Sequence, residues 1–147
     1  YSYRSIALSE MSLKAFDKTI RTTNQWLREI GEEAGWDDKQ RAYMALKAVL
    51  RTLRDRLPVA EAADFGAQLP MLIRGLYFEG WNPAIVPVKY SRNEFLSRVK
   101  NQFGNEPEID PEAIFRAVFA VISRKIAAGE IEDIRDSLPV GMVELTK

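Results

Sequence analysis

Four aromatic side chains, Tyr77, Phe78, Trp81 and Tyr90, lie close together in the chain, with Arg74 and Lys89 beside them. Aromatic rings bury large areas at little rotamer cost, and arginine adds directional donors, so this mixture is typical of protein interaction hot spots. Residues 81–90, Trp-Asn-Pro-Ala-Ile-Val-Pro-Val-Lys-Tyr, contain two prolines and cannot be helical. They form an unusually apolar connector, and Arg74, Tyr77, Trp81 and Lys89 are the expected binding residues. A plainer reading stands beside this one: the connector crosses a seam between two helical units and closes their core.

Other groupings point to other chemistry. Lys47, Arg51 and Arg54 are spaced by four and three, which puts them on one helix face suited to an acidic partner or a phosphate. With Asp38 and Asp55 nearby, a solvated outer face is the simpler expectation. Glu106, Glu108, Asp110 and Glu112 alternate as calcium ligands can, but the EF-hand spacing, its central glycine and its closing glutamate are missing. Asp110 and Glu112 already serve as helix-start residues. Gln68, before Leu69-Pro70, can aim its amide into a site or bond to backbone groups left open between two helices.

Composition excludes more than it suggests. The 147 residues include no Cys and no His. A thiol nucleophile, a Ser-His-Asp triad and an imidazole or thiolate metal site are therefore impossible. The glycines are spaced as punctuation and form no phosphate loop. No catalytic residue, metal ligand or cofactor is expected. Basic and acidic residues number 21 each and mix along the chain, so no nucleic-acid partner is expected. No apolar run approaches the roughly 18–20 residues that span a bilayer, so no membrane partner is expected. Residues 1–10 lack the pattern of a signal peptide and read as a leader or remnant of little structural role, ahead of one helical domain over 11–147.

The elements that position these groups are helices. Leu13, Phe16, Ile20, Leu27 and Ile30 form one stripe, ended by Gly31 and Gly35. Asp37 with Gln40 reads as a capping box for a second helix with Ala42, Ala45, Leu46, Val49, Leu50 and Leu53 facing inward. A short helix over Val59–Ala67, the Leu69-Pro70 step and a helix over about 70–79 follow. Ser91 with Glu94 is a second capping box, and Asp110-Pro111-Glu112 opens another helix, with a break at Gly129. A strand is plausible only at Ala84–Val88.

Two halves then align. Trp26, Leu27 and Ile30 match Phe95, Leu96 and Val99, while Asp64-Phe65 and Leu69-Pro70 match Asp133-Ile134 and Leu138-Pro139. The predicted fold is all-α: two pseudo-symmetric repeats, each long helix, long helix, short helix, Leu-Pro turn and helix, packed into one bundle. Repeat one covers about 12–80, the connector 81–90 and repeat two about 91–147. A unit of this size buries its stripe poorly alone.

Gln68-Leu69-Pro70, Arg74-Gly75-Leu76-Tyr77 and Gly80-Trp81-Asn82-Pro83 resemble the bacterial family catalogued as domain of unknown function 2267. Ala48-Val49-Leu50, Thr22-Thr23-Asn24 with Trp26-Leu27, and Glu94-Phe95-Leu96 with Val99 extend the likeness over nearly all the chain after Met11. The resemblance implies a helical, cytosolic protein and no assigned activity. The second half departs from the pattern, with Ser137 where Gln68 stands and no Gly-Trp after Pro139. The expected function is a non-catalytic interaction module with an unknown protein partner, or self-association, through the Arg74–Tyr90 region. The alternative is an enzyme or small-molecule carrier with a pocket at the seam lined by Trp26, Tyr43, Tyr77 and Trp81.

Overall fold

The computed structural model describes residues 13–147, and every regular element among them is helical. α1 spans Lys14–Ala34, α2 Lys39–Arg56, α3 Val59–Ala67, α4 Met71–Phe78, α5 Arg92–Phe103, α6 Pro111–Lys125 and α7 Ala128–Ser137. A 3-10 turn over Val143–Thr146 follows. The expectation for residues 1–10 lies outside the described residues.

Local chemistry sets most boundaries. α1 ends at Gly35, whose φ of +76° suits glycine, and its N–H donates to the Gly31 carbonyl. At α5 both halves of the capping box form: Glu94 N–H donates to Ser91 Oγ at 3.2 Å and Ser91 N–H to Glu94 Oε1 at 2.8 Å. Asp110 caps α6 by accepting from Glu112 N–H at 2.9 Å, with Pro111 in the first turn. Three expectations are corrected. Asp38, not Asp37, caps α2, because its Oδ1 lies 2.9 Å from the Gln40 amide. Gly129 lies inside α7 rather than ending a helix, since α6 already stops before an extended Ile126. A glycine in a first turn, where amides lack intrahelical acceptors anyway, disrupts little. The chain from Ala84 to Val88 forms no strand.

α2 is the central helix, packed against α1, α4, α5 and α6. Its inward residues Ala45, Leu46, Val49 and Leu50 are fully buried. Phe95 of α5 meets Phe115 of α6 edge-on at 5.6 Å, and Phe115 stacks on Phe119 at 5.4 Å. The first and second halves of the chain therefore share one core, as the poor burial available to either alone requires. At the rim of the α1–α6 contact, Glu29 of α1 pairs with Lys125 at 2.8 Å and Arg124 at 3.2 Å.

Candidate functional site

Gly80, at a φ of +82°, turns the chain out of α4 into the connector. Asn82 shapes the bend: its Oδ1 accepts from Ala84 N–H at 3.0 Å and its carbonyl from Ile85 N–H at 3.2 Å. Farther on, Val88 N–H donates to the Asp55 carbonyl at 2.7 Å, and Arg56 Nε to the Tyr90 carbonyl at 3.3 Å. The connector is thereby tied to the C-terminal end of α2. Ile85 stands 67% exposed at its crest.

The four expected binding residues divide. Tyr77 is fully buried, edge-on to Phe65 at 5.3 Å, and its hydroxyl donates to the Ala62 carbonyl at 2.8 Å. Burial pushes its phenol well above the usual range, so it stays protonated. The Arg74 guanidinium donates to the carbonyls of Gly66, Ala67 and Leu69, which closes the end of α3 and the Leu-Pro step. Both side chains hold the fold together. Trp81 is half-buried against Phe78 at 5.3 Å, and its indole N–H is buried with no acceptor. Lys89 is exposed. Of the residues suggested for a seam pocket, Trp26 and Tyr77 fill the core, while Tyr43 is half-buried beneath Lys47 Nζ at 4.2 Å.

Two members of the basic row on α2, Arg51 and Arg54, form a brace rather than a solvated face. Arg54 is 4% exposed, donates to the carbonyls of Tyr77 and Glu79 at 2.9 and 2.8 Å, and grips Asp55 with two nitrogens. Arg51 reaches the Leu76 carbonyl at 3.0 Å and Glu79 at 2.8 Å. Together they satisfy the carbonyls at the end of α4, which a short helix leaves open. The acid run is likewise occupied: Glu106 pairs with Arg41 and Glu112 with Arg92, each at 3.1 Å. Among the described residues no cluster of Asp or Glu is arranged to hold a metal ion.

Gln68 bonds across the molecule. Its Oε1 accepts from Ala127 N–H at 3.1 Å, which caps the start of α7. Ser137 reaches the other way, its hydroxyl donating to Glu61 at 2.6 Å. Between these contacts Glu130 is buried, with Oε1 unpartnered. Desolvation, followed by repulsion from Asp64, Asp133 and Glu61, raises its pKa.

The Gln68-Leu69-Pro70 segment, one of the candidates in the sequence, borders a groove whose other wall on α1 was not anticipated. Ala15, Lys18, Thr19 and Thr22 of α1 face Gln68, Leu69, Pro70 and Met71 across a groove of about 480 Å³. Thr19 Oγ1 accepts from Leu72 N–H at 3.0 Å and joins the two walls. Phe16, Ile20 and Met71, about half exposed, stand on the same two segments. Phe16 and Ile20 belong to the stripe expected to be core; the signal was present in the sequence, but among the described residues no helix covers its outer part. A search of curated proteins found no match to the chain. A family model does match, over residues 23–145, and it takes in all of α2 to α7 and most of α1. On that match the chain belongs to the family described as uncharacterized conserved protein (DUF2267).

Proposed function

We propose that this protein is a non-catalytic interaction module that engages a protein partner through the connector face formed by Trp81, Ile85 and Lys89. The observation that carries the reading is Ile85, 67% exposed on a backbone pinned at both ends by the Asn82 turn and the Asp55 carbonyl. A fixed apolar projection loses little conformational entropy on binding, so its burial is converted efficiently into affinity. Half-buried Trp81 supplies an aromatic ring at the start of the same connector, and exposed Lys89 a charge near its end. Tyr77 packs on Phe78, which in turn meets Trp81.

The test is affinity capture from the native cell with the wild-type chain, Ile85→Asp and Trp81→Ala, the variants first matched for thermal stability. Loss of a captured protein with Ile85→Asp is expected. An unchanged set of partners with both variants removes the connector face from the interaction. Sedimentation of the purified chain shows whether the partner is a second copy.

A further inference from the structure

We infer that α7 is a pH-sensitive latch, closed on α3 while the Glu130 carboxyl is protonated and opened when it ionises. The device is separate from the connector face. α3 and α7 carry the same acid pair at the same spacing, Glu61 with Asp64 and Glu130 with Asp133. The two helices pack on each other, and α3 is the main support of α7. Two hydrogen bonds cross the seam: the Ser137 hydroxyl donates to Glu61 at 2.6 Å and the Ala127 amide to Gln68 at 3.1 Å. Between them Glu130 is 8% exposed, with Oε1 buried and unpartnered. A neutral carboxyl tolerates such a place at modest cost, whereas a carboxylate there is desolvated and unpaired.

The charges at the seam set the direction. Glu61 and Asp64 act on Glu130 from α3 and Asp133 from its own helix, and each of them opposes ionisation. From α4 the Tyr77 phenol faces it and stays protonated. Arg74 of α4 and Arg54 of α2 are committed to backbone carbonyls and, for Arg54, to Asp55. Among the described residues no group of these acids is arranged to hold a metal ion, so a proton is the cation that the seam can take. Ionisation destabilises only the closed form, because an opened α7 returns Glu130 to water. Closure is therefore favoured below the ordinary carboxylate value of 4.5, and opening grows as pH rises from there through the raised folded-state value. Opening uncovers Ile131 and Ile134, both buried when the latch is shut.

The experiment is native-state hydrogen exchange of the full chain, followed amide by amide between pH 4.5 and 7.5 and at low urea concentrations. In the wild type the Ile131 and Ile134 amides should be less protected than those of Leu46 and Val49 in α2. Their urea dependence should also be shallower, because a local opening exposes less surface than global unfolding. Their protection factors should fall at least about threefold from the acid to the neutral end of the range. In Glu130→Gln they should stay level. In Asp64→Asn, a change at an exposed position that removes one opposing charge, the fall should shrink. Protection of α7 that does not change with pH in the wild type, or that falls as far in Glu130→Gln, overturns the proposal. So does a urea slope at Ile131 and Ile134 equal to that at Leu46 and Val49, because α7 then leaves only when the whole molecule unfolds. Should Glu130→Gln fail to fold, Asp64→Asn decides alone, and a fall undiminished from the wild type overturns the latch.

Discussion

Glu130 is held among Asp64, Asp133 and Glu61, with one oxygen buried and unpartnered. Its carboxyl keeps a proton more tightly folded than unfolded, because burial and three like charges oppose ionisation. The sign of the linkage follows. Its contribution to stability is fullest below the ordinary value of 4.5 and declines as pH rises from there through the raised folded-state pKa. Glu130→Gln should flatten that decline, measured as urea midpoints across pH 4 to 8, and an unchanged slope would place the pH dependence elsewhere. Glu29 has the opposite sense: its hydrogen bond from Lys125 lowers its pKa, so its contribution is present above the ordinary carboxylate range and fades on acidification. Tyr77→Phe removes a buried hydroxyl bonded to the Ala62 carbonyl. The expected cost is about 1 kcal/mol, read as a lower urea midpoint at unchanged slope.

The short helices α3 and α4 are fixed by close approach and by α2. A Cβ added at Gly66 would stand 2.3 Å from the Phe78 ring and 2.9 Å from that of Tyr77. Gly66→Ala should therefore cost about 2 kcal/mol through overpacking, seen in chemical denaturation. Arg54→Ala leaves the Tyr77 and Glu79 carbonyls without their donor and Asp55 without its closest cation. A loss of about 3 kcal/mol is expected in thermal unfolding, with little rescue by Arg54→Lys, which lacks the planar fork. At this scale the sequence was legible wherever the deciding partner was local. Ser91 and Glu94, Asp110 and Pro111, and the limits Val59 and Ala67 all follow from neighbours within one turn. Asp38 was missed because Asp37 offers the same side chain one residue earlier. Phe16 and Ile20 were misassigned because period reports that a helix has an apolar face, not what covers it. Arg54 and Arg74 have acceptors 5 to 25 residues away, which spacing on one helix face does not reveal. The groove joins Thr19 to a segment 53 positions on, a separation that no local pattern encodes.

Across the whole molecule, α2 packs on α5 and α6 as closely as on its own neighbours, so neither half has a core to itself. Calorimetry should show one cooperative transition. Fragments 13–80 and 91–147 should each be largely unfolded alone and regain helical signal when mixed; stable helicity in either fragment would contradict a shared core. Gln68 and Ser137, which stand at matching places before the two Leu-Pro steps, each bond into the opposite half. The Gln68 contact reaches into time as well as space. Helix α7 begins without a capping side chain of its own, and the amide of Ala127, the residue just before it, finds an acceptor 59 positions earlier in the chain. During synthesis, Gln68 emerges from the ribosome long before Ala127 exists, so an acceptor waits for its donor. The Ala127 amide is consequently a clock for assembly. In pulsed hydrogen exchange it gains protection only when the two halves meet, whereas amides deeper in α7 can be shielded as soon as the helix winds.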